Sequence, residues 1–176
     1  MSPQSGSWMT DPEAYRAEVD RKLGGRSALE VLGKTAGKLK RIVDANADRQ
    51  LRARPFEGKW TPLEVIGHLG DGEWAYGYRI RMVLSTDKPH LPIWEQESWV
   101  AVQRHNERYP HELVNVFSAL RDANLTLWRM LGDEELQRVG VHDKRGPESV
   151  AVMLNHLAVH DLHHIDQINR YLTAGR

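Results

Sequence analysis

Four of the chain's nine histidines crowd into one short stretch, running from His156 through His160 and His163 to His164. His156, His160 and His164 stand at i, i+4 and i+8, so a helix lines them up along one side. Imidazoles at that spacing are metal-ligand material if another element supplies the rest of a coordination sphere. Histidines four apart also sit on wet helix surfaces and bind nothing, and the row alone leaves both readings open. The chain has no cysteine, which removes thiolate nucleophiles and thiolate ligands. A metal here would be held by nitrogen and oxygen.

A helix from about Ser149 to Leu172 is predicted for this stretch, and a wheel at about 100° per residue separates its histidines. Met153, Leu154, Leu157, Ile168, Tyr171 and Leu172 form the apolar arc. His164 falls inside that arc and His160 at its edge, about 40° away. His156 and His163 fall towards the rim. A lone inward histidine is ordinarily a core imidazole bonded to a backbone carbonyl. Two together each need a partner, because an unmet buried polar group costs free energy, and one divalent cation would serve both.

The natural third ligand is His68, just inside the best-marked helix start in the chain, Trp60-Thr61-Pro62-Leu63-Glu64. Thr61 can cap, Pro62 suits the first helical position, and Glu64 sits where a capping box wants it. This helix is expected to reach about Leu84, with Val65, Leu69, Tyr76, Ile80 and Val83 on one face, and His68 borders that face. Three imidazoles leave a coordination position open, as in a catalytic metal site. A water there would have its pKa lowered towards neutrality, and a thiol would be deprotonated.

The elements that must position these residues are helical. Residues 1–10 read as a loose tail, and a short helix opens at Thr10-Asp11-Pro12-Glu13 and ends at Gly24-Gly25. A second helix is expected from Ser27 to about Ala47, although Gly33 and Gly37 weaken its propensity. Residues 48–59 read as a connection, and residues 85–95, with two prolines, cannot be regular helix. A short helix is expected from about Glu97 to Arg104. A long one is expected from His111 to about Leu131, closed by Gly132. Residues 133–148 read as polar loop, with Val139 to Val141 too short for a strand. No alternating strand, internal repeat or low-complexity tract is visible. The expectation is an all-α chain, one domain over residues 1–176, built as a bundle of four long helices with extra short ones.

Composition excludes some function classes. Lys plus Arg and Asp plus Glu balance at 24 each, which argues against a nucleic-acid footprint. No apolar run approaches the length needed to span a bilayer, and the polar stretch from Met1 to Thr10 has no apolar core of a signal peptide. A cytoplasmic location and a small-molecule substrate, with no nucleic-acid or membrane partner, are the resulting expectations.

Two motifs carry a resemblance. One is Trp60-Thr61-Pro62-Leu63-Glu64-Val65-Ile66-Gly67-His68-Leu69. The other is His160-Asp161-Leu162-His163-His164-Ile165-Asp166-Gln167-Ile168. At this separation they make the chain resemble the DinB-like (YfiT-like) metalloproteins over nearly its whole length. The resemblance implies an up-down-down-up four-helix bundle and a metal, commonly zinc or nickel, on His68, His160 and His164. It also implies a homodimer. His156 and His163 are not carried over. Asp161 and Gln167 are candidates to orient imidazoles from behind.

The resemblance further implies a metal-dependent enzyme. One form is a transferase or isomerase that activates a low-molecular-weight thiol such as bacillithiol or mycothiol; the other is a hydrolase that activates water. The competing expectation is a non-enzymatic, stress-related binding protein with a structural or incidental metal. Among other residues, Glu73 is a candidate general base. Trp94 and Trp99 are candidates to cover the metal, while Trp60, Trp74 and Trp128 read more simply as packing. Arg79, Arg81 and Lys88 could bind an anionic group or form a solvated face.

Overall fold

The computed structural model describes residues 12–174; the tail expected over residues 1–10 lies outside them. The long helices are α2 (Ala28–Ala45), α4 (Pro62–Ser85), α6 (Pro110–Trp128) and α8 (Val150–Ala174). Shorter ones are α1 (Pro12–Leu23), α3 (Asp48–Arg52), α5 (Gln96–Val102) and α7 (Asp133–Gln137), with a 3-10 turn at His105–Glu107. The start of α4 is capped as its sequence predicts. Thr61 Oγ1 accepts from the Glu64 amide at 3.1 Å, and the Glu64 carboxylate accepts from the Thr61 amide at 2.7 Å. Such reciprocal caps satisfy amides that the first helical turn leaves bare.

Three local expectations need correction. Residues 48–59 contain α3, a single turn whose five residues are too few for a periodic pattern to register. Gly132 does not close α6, which ends at Trp128; its amide instead donates to the Glu135 carboxylate and opens α7. The loops after α4 and α7 hold strands. β1 (His90–Leu91) runs parallel to β2 (Val139–His142), and β2 pairs antiparallel with β3 (Gly146–Ser149) around Gly146, at φ 74°. These strands are two to four residues long, and backbone pairing rather than side-chain alternation defines them.

Around the bundle, α2 and α4 each pack on α6 and α8, so α2 and α4 are diagonal. Contacts fix the directions. Glu73 meets Arg121 and Gly77 meets Asn124, so α4 and α6 advance together. His68 meets His164 while Gly72 meets His160 and Leu157, so α4 and α8 run oppositely. Val31 and Leu32 share a cluster with Leu154 and Leu157, and Leu39 and Val43 share one with Ile165 and Leu172. Helices α2 and α8 are therefore parallel, and the order is up, down, down, up. The crossover from α4 to α6 carries β1 and α5 back along the bundle, which is what brings Trp94 and Trp99 to the histidines.

The core divides into two apolar clusters separated by a polar level. One cluster contains Leu32, Ile80, Trp128 and Leu157, and the other Leu39, Leu69, Phe117 and Ile168. Between them each long helix contributes a buried polar residue: Thr35 from α2, Glu73 from α4, Arg121 and Asn124 from α6, and Asp161 from α8.

Candidate metal centre

His68 projects from the second turn of α4, and His160 and His164 from successive turns of antiparallel α8. The three bring one ligating atom each to within 4.8 Å of one another. Nε2 of His68 lies 2.9 Å from Nε2 of His160. The His160 and His164 rings are 4.3 Å apart between centroids, and His68 and His164 are 4.8 Å apart. His68 is fully buried and His164 is 9% exposed.

Electrostatics keep the trio neutral. Burial, then repulsion from His160 and His164, holds His68 well below the usual histidine range. Burial, then repulsion from His163 and the Arg121 guanidinium, holds His160 down to about 3. Burial and the neighbouring His160 likewise depress His164, and a hydrogen bond to Gln167 opposes them only in part. Neutral imidazole carries one bare lone pair per ring, the form that ligates a cation.

The donor set fits a divalent metal. His164 Nδ1 donates to Gln167 Oε1 at 2.7 Å, which leaves its Nε2 bare, and Gln167 Nε2 donates in turn to the Tyr171 hydroxyl at 2.8 Å. A partner that fixes the tautomer of a ligating imidazole is a regular companion of metal sites. His68 Nδ1 and His160 Nδ1 are buried and have no hydrogen-bond partner among the described residues. A core imidazole tied to a backbone carbonyl is therefore not what these two are. The short Nε2 contact allows one shared proton between two rings, and nothing in it serves the third.

The other sequence candidates distribute as follows. Gln167 stands behind His164, but Asp161 faces away from the imidazoles. Its Oδ2 accepts from Thr35 Oγ1 at 2.7 Å and from Arg121 Nη1 at 2.8 Å. Glu73 is not poised as a base either: Arg121 Nη2 donates to its Oε1 at 2.6 Å and Asn124 Nδ2 to its Oε2 at 3.0 Å. Burial pushes the Glu73 carboxyl up despite Arg121. Burial works against the Arg121 charge, yet Asp161 and then Glu73 outweigh it and raise its pKa.

His163 and His156 are half-buried rather than open to solvent. The His163 ring lies 5.1 Å from that of His164, and His156 Nδ1 lies 3.2 Å from Glu148 Oε1.

Tryptophans wall the site. The Trp60 ring is 4.7 Å from His68, Trp94 is 5.4 Å from His68, and Trp99 stacks edge-on against Trp94. Trp60 Nε1 donates to Glu97 Oε2 at 2.9 Å, tying the α5 segment to the start of α4. Past α5, Gln103 Nε2 donates to Asp71 Oδ1 at 2.6 Å, and His105 Nε2 lies 3.0 Å from Asp71 Oδ2. Trp128 is core, and Trp74 is 58% exposed. Arg81 is exposed and bonds Asn124, Lys88 is exposed, and Arg79 is buried.

Sequence reading missed Arg121, Asn124 and the Asp71–His105 pair. A signal for the first two was present: Arg121 and Asn124 share a helix stripe with Phe117 and Trp128, where apolar residues are expected.

Comparison with known proteins agrees with this geometry. The sequence profile of the DinB superfamily matches residues 32–168. A protein of Oceanobacillus iheyensis, OB0413, is 26% identical over 74% of this chain and 75% of its own length, and bears the name of an inferred metal-dependent hydrolase. YfiT of Bacillus subtilis, named in the same way, is 24% identical over 80% of this chain and 79% of its own. The solved YfiT structure, described as a four-helix bundle of unusual topology, superposes with a TM-score of 0.77 at 24% identity, over 82% of this chain and 83% of that one. The crystal structure of a mycothiol-dependent maleylpyruvate isomerase shares the fold at a TM-score of 0.63 and 13% identity, over 79% of this chain and 58% of that one. With the profile spanning most of its length and the bundle matching, the chain belongs to the DinB superfamily.

Proposed function

We propose that this protein is a metal-dependent hydrolase of a small-molecule substrate, with His68, His160 and His164 holding the divalent cation, zinc or nickel. The observation that carries the reading is the meeting of three neutral imidazoles, His68 and His164 buried and His160 partly so, two of them with Nε2 atoms 2.9 Å apart. The names of the relatives OB0413 and YfiT support the reaction class. When bound, the cation supplies Lewis acidity, polarising a carbonyl and lowering the pKa of a water or thiol.

The chain's own residues do the rest. Gln167, held by Tyr171, fixes the His164 tautomer. Trp60 and Trp94 exclude bulk water from the His68 side, which strengthens electrostatic interactions inside. Gly72 presents no side chain towards His160 and Trp94, whose nearest atoms would stand 3.6 and 3.8 Å from a Cβ there.

Elemental analysis of untagged protein is expected to find one divalent metal per chain. Hydrolysis of p-nitrophenyl esters is expected to need that metal and to disappear in His164→Ala. No stoichiometric metal, together with no uptake of zinc or nickel, would overturn the reading.

A second reading within the same site is activation of a low-molecular-weight thiol. It is favoured by the fold shared with the mycothiol-dependent isomerase. Metal-dependent adduct formation with an electrophile panel, in the absence of ester turnover, is the result that would select it. A metal that raises thermal stability without supporting either reaction would instead mark a non-enzymatic binding protein.

A further inference from the structure

The α4 face that carries His68 continues towards Arg79. Arg79 lies eleven residues on, about 20° round the helix and about 16 Å along it. Helical side chains lean towards the N-terminus, and Arg79 Cζ sits 5.7 Å from the centre of the Tyr76 ring, one turn nearer the histidines. That places the guanidinium about two turns, ~11 Å, from the cluster, with Gly72 in between.

Arg79 is 4% exposed, yet no carboxylate lies within 4.0 Å of it among the described residues. Its one hydrogen bond there runs from Nη2 to the Pro92 carbonyl, a neutral acceptor. The acids whose charge reaches it are committed elsewhere. Glu148 takes Arg145 Nη2 at 2.8 Å and faces His156 at 3.2 Å, while Asp143 pairs with His90 and accepts from the Ile93 amide at 3.2 Å. Arg145, itself paired with Glu148, lies close enough for its charge to reach Arg79. Burial first, then Arg145 and Arg79, opposed by Glu148 and Asp143, holds the neighbouring His142 down to about 4.

A guanidinium offers five donors in a planar fork that matches a carboxylate or phosphate. Arg79 meets one carbonyl and the face of the Tyr76 ring but no carboxylate, and a largely buried guanidinium held so is favourable only where water or an anion meets the remaining donors. We propose that Arg79 is the anion-recognition residue of the three-histidine site, binding the carboxylate of an elongated substrate whose reacting group lies at His68, His160 and His164. The assignment of substrate rests on the metal-site reading above; the anion site at Arg79 can be tested without it.

The probes are glutarate, its neutral isostere glutaramide, and inorganic phosphate, titrated into full-length protein by calorimetry and thermal shift, both metal-free and zinc-loaded. Glutarate is expected to bind the metal-free protein and raise its Tm, with glutaramide inert. Arg79→Met is expected to weaken glutarate at least tenfold, leave zinc affinity within twofold, and leave the Tm of the ligand-free protein unchanged or higher. Arg79→Lys is expected to fall between. Arg79-dependent binding of phosphate tighter than glutarate would support the anion site and name a phosphorylated substrate.

Equal glutarate binding by wild type and Arg79→Met would overturn the proposal. So would binding only when zinc is present, or a Tm loss in Arg79→Met with unchanged glutarate binding, which marks a structural tie to Pro92. Failure of zinc to bind the wild type would count against the metal centre alone, because the metal-free glutarate titration still reads Arg79.

Discussion

Two buried polar regions lie side by side in this bundle and solve the burial problem differently. In the central level, Arg121 sits between Glu73 and Asp161 at 2.6 and 2.8 Å, with Thr35 and Asn124 filling out the carboxylates. Each charge there has an opposite charge in contact, supplied by the chain itself. At the α4–α8 edge, three imidazoles of one kind meet, and two ring nitrogens find no partner among the described residues. In the first region the charges are paired on folding, although Arg121 Nε and Asp161 Oδ1 keep no hydrogen-bond partner among the described residues. In the second, no acid of the described residues joins the three imidazoles, whose lone pairs the proposed cation would take. On the metal-site reading proposed above, the contrast separates a polar cluster that holds helices together from one that takes a ligand, and mutations should tell the two apart.

The largest effect is expected in the first region. Arg121→Ala leaves two carboxylates buried without their cation, and breaking such a pair costs about 3–5 kcal/mol. Urea denaturation should show that loss equally in EDTA and, without EDTA, in the presence of zinc. A loss below about 1 kcal/mol, the range of an exposed pair, would mean that water reaches the layer and that the comparison fails.

The second region should respond to metal instead. Zinc at about 100 times its Kd is expected to stabilise the wild type by about 2.7 kcal/mol and to leave His164→Ala unmoved. This gain should fade with acid, because ligands must be neutral to bind. The metal-free protein has its own acid limb. His68, His160 and His164 titrate in the fold below the 6.5 of the unfolded chain. Below about pH 6.5 the unfolded state therefore takes up protons that the folded state refuses, and stability falls as pH drops towards about 3, where His160 protonates in the fold. Above about pH 6.5 these groups contribute no slope. A stability curve in EDTA that is flat from about pH 7 to about pH 5 would contradict the neutral trio.

A smaller effect is expected one shell out. Gln167→Ala removes the acceptor for His164 Nδ1, and losses of this kind weaken metal affinity by about 10- to 100-fold. Calorimetry with zinc would measure it. Affinity unchanged within twofold would show that Gln167 merely fills space beside Tyr171.

The difference between the regions also explains what the sequence disclosed. The long helices announce themselves through 3.6-residue periodicity, and α4 through its Thr61–Glu64 cap. The inward pair His160 and His164 and the third histidine, His68, follow from the same wheels, because helix phase is a local property. Their meeting depends on antiparallel packing of α4 on α8, which the family motifs implied and no local pattern contains. Arg121, Glu73, Asp161 and Thr35 were less legible. Each is one polar residue on an otherwise apolar stripe, and only the bundle puts the four at one height. Glu73 thus read as a candidate base until Arg121 and Asn124 were seen to occupy its carboxylate. The strands around Gly146 were invisible because two to four residues carry no periodicity.

The smallest effect expected is a gain. Gly67 and Gly72 lie five residues apart on α4. At Gly67 a Cβ would stand 2.2 Å from the buried His105 ring, so the close approach of the turn that carries His105 requires glycine. At Gly72 the nearest atom to a Cβ is His160 Cε1 at 3.6 Å, an ordinary contact. Packing does not demand glycine there, and a mid-helix glycine costs about 0.5–1 kcal/mol relative to alanine. Gly72→Ala should therefore raise stability by about that amount and leave zinc affinity unchanged. Denaturation and zinc calorimetry on the one variant check both halves. A stabilised protein with intact zinc binding and weakened ester turnover would show that the missing side chain beside His160 serves the substrate, at the expense of helix stability.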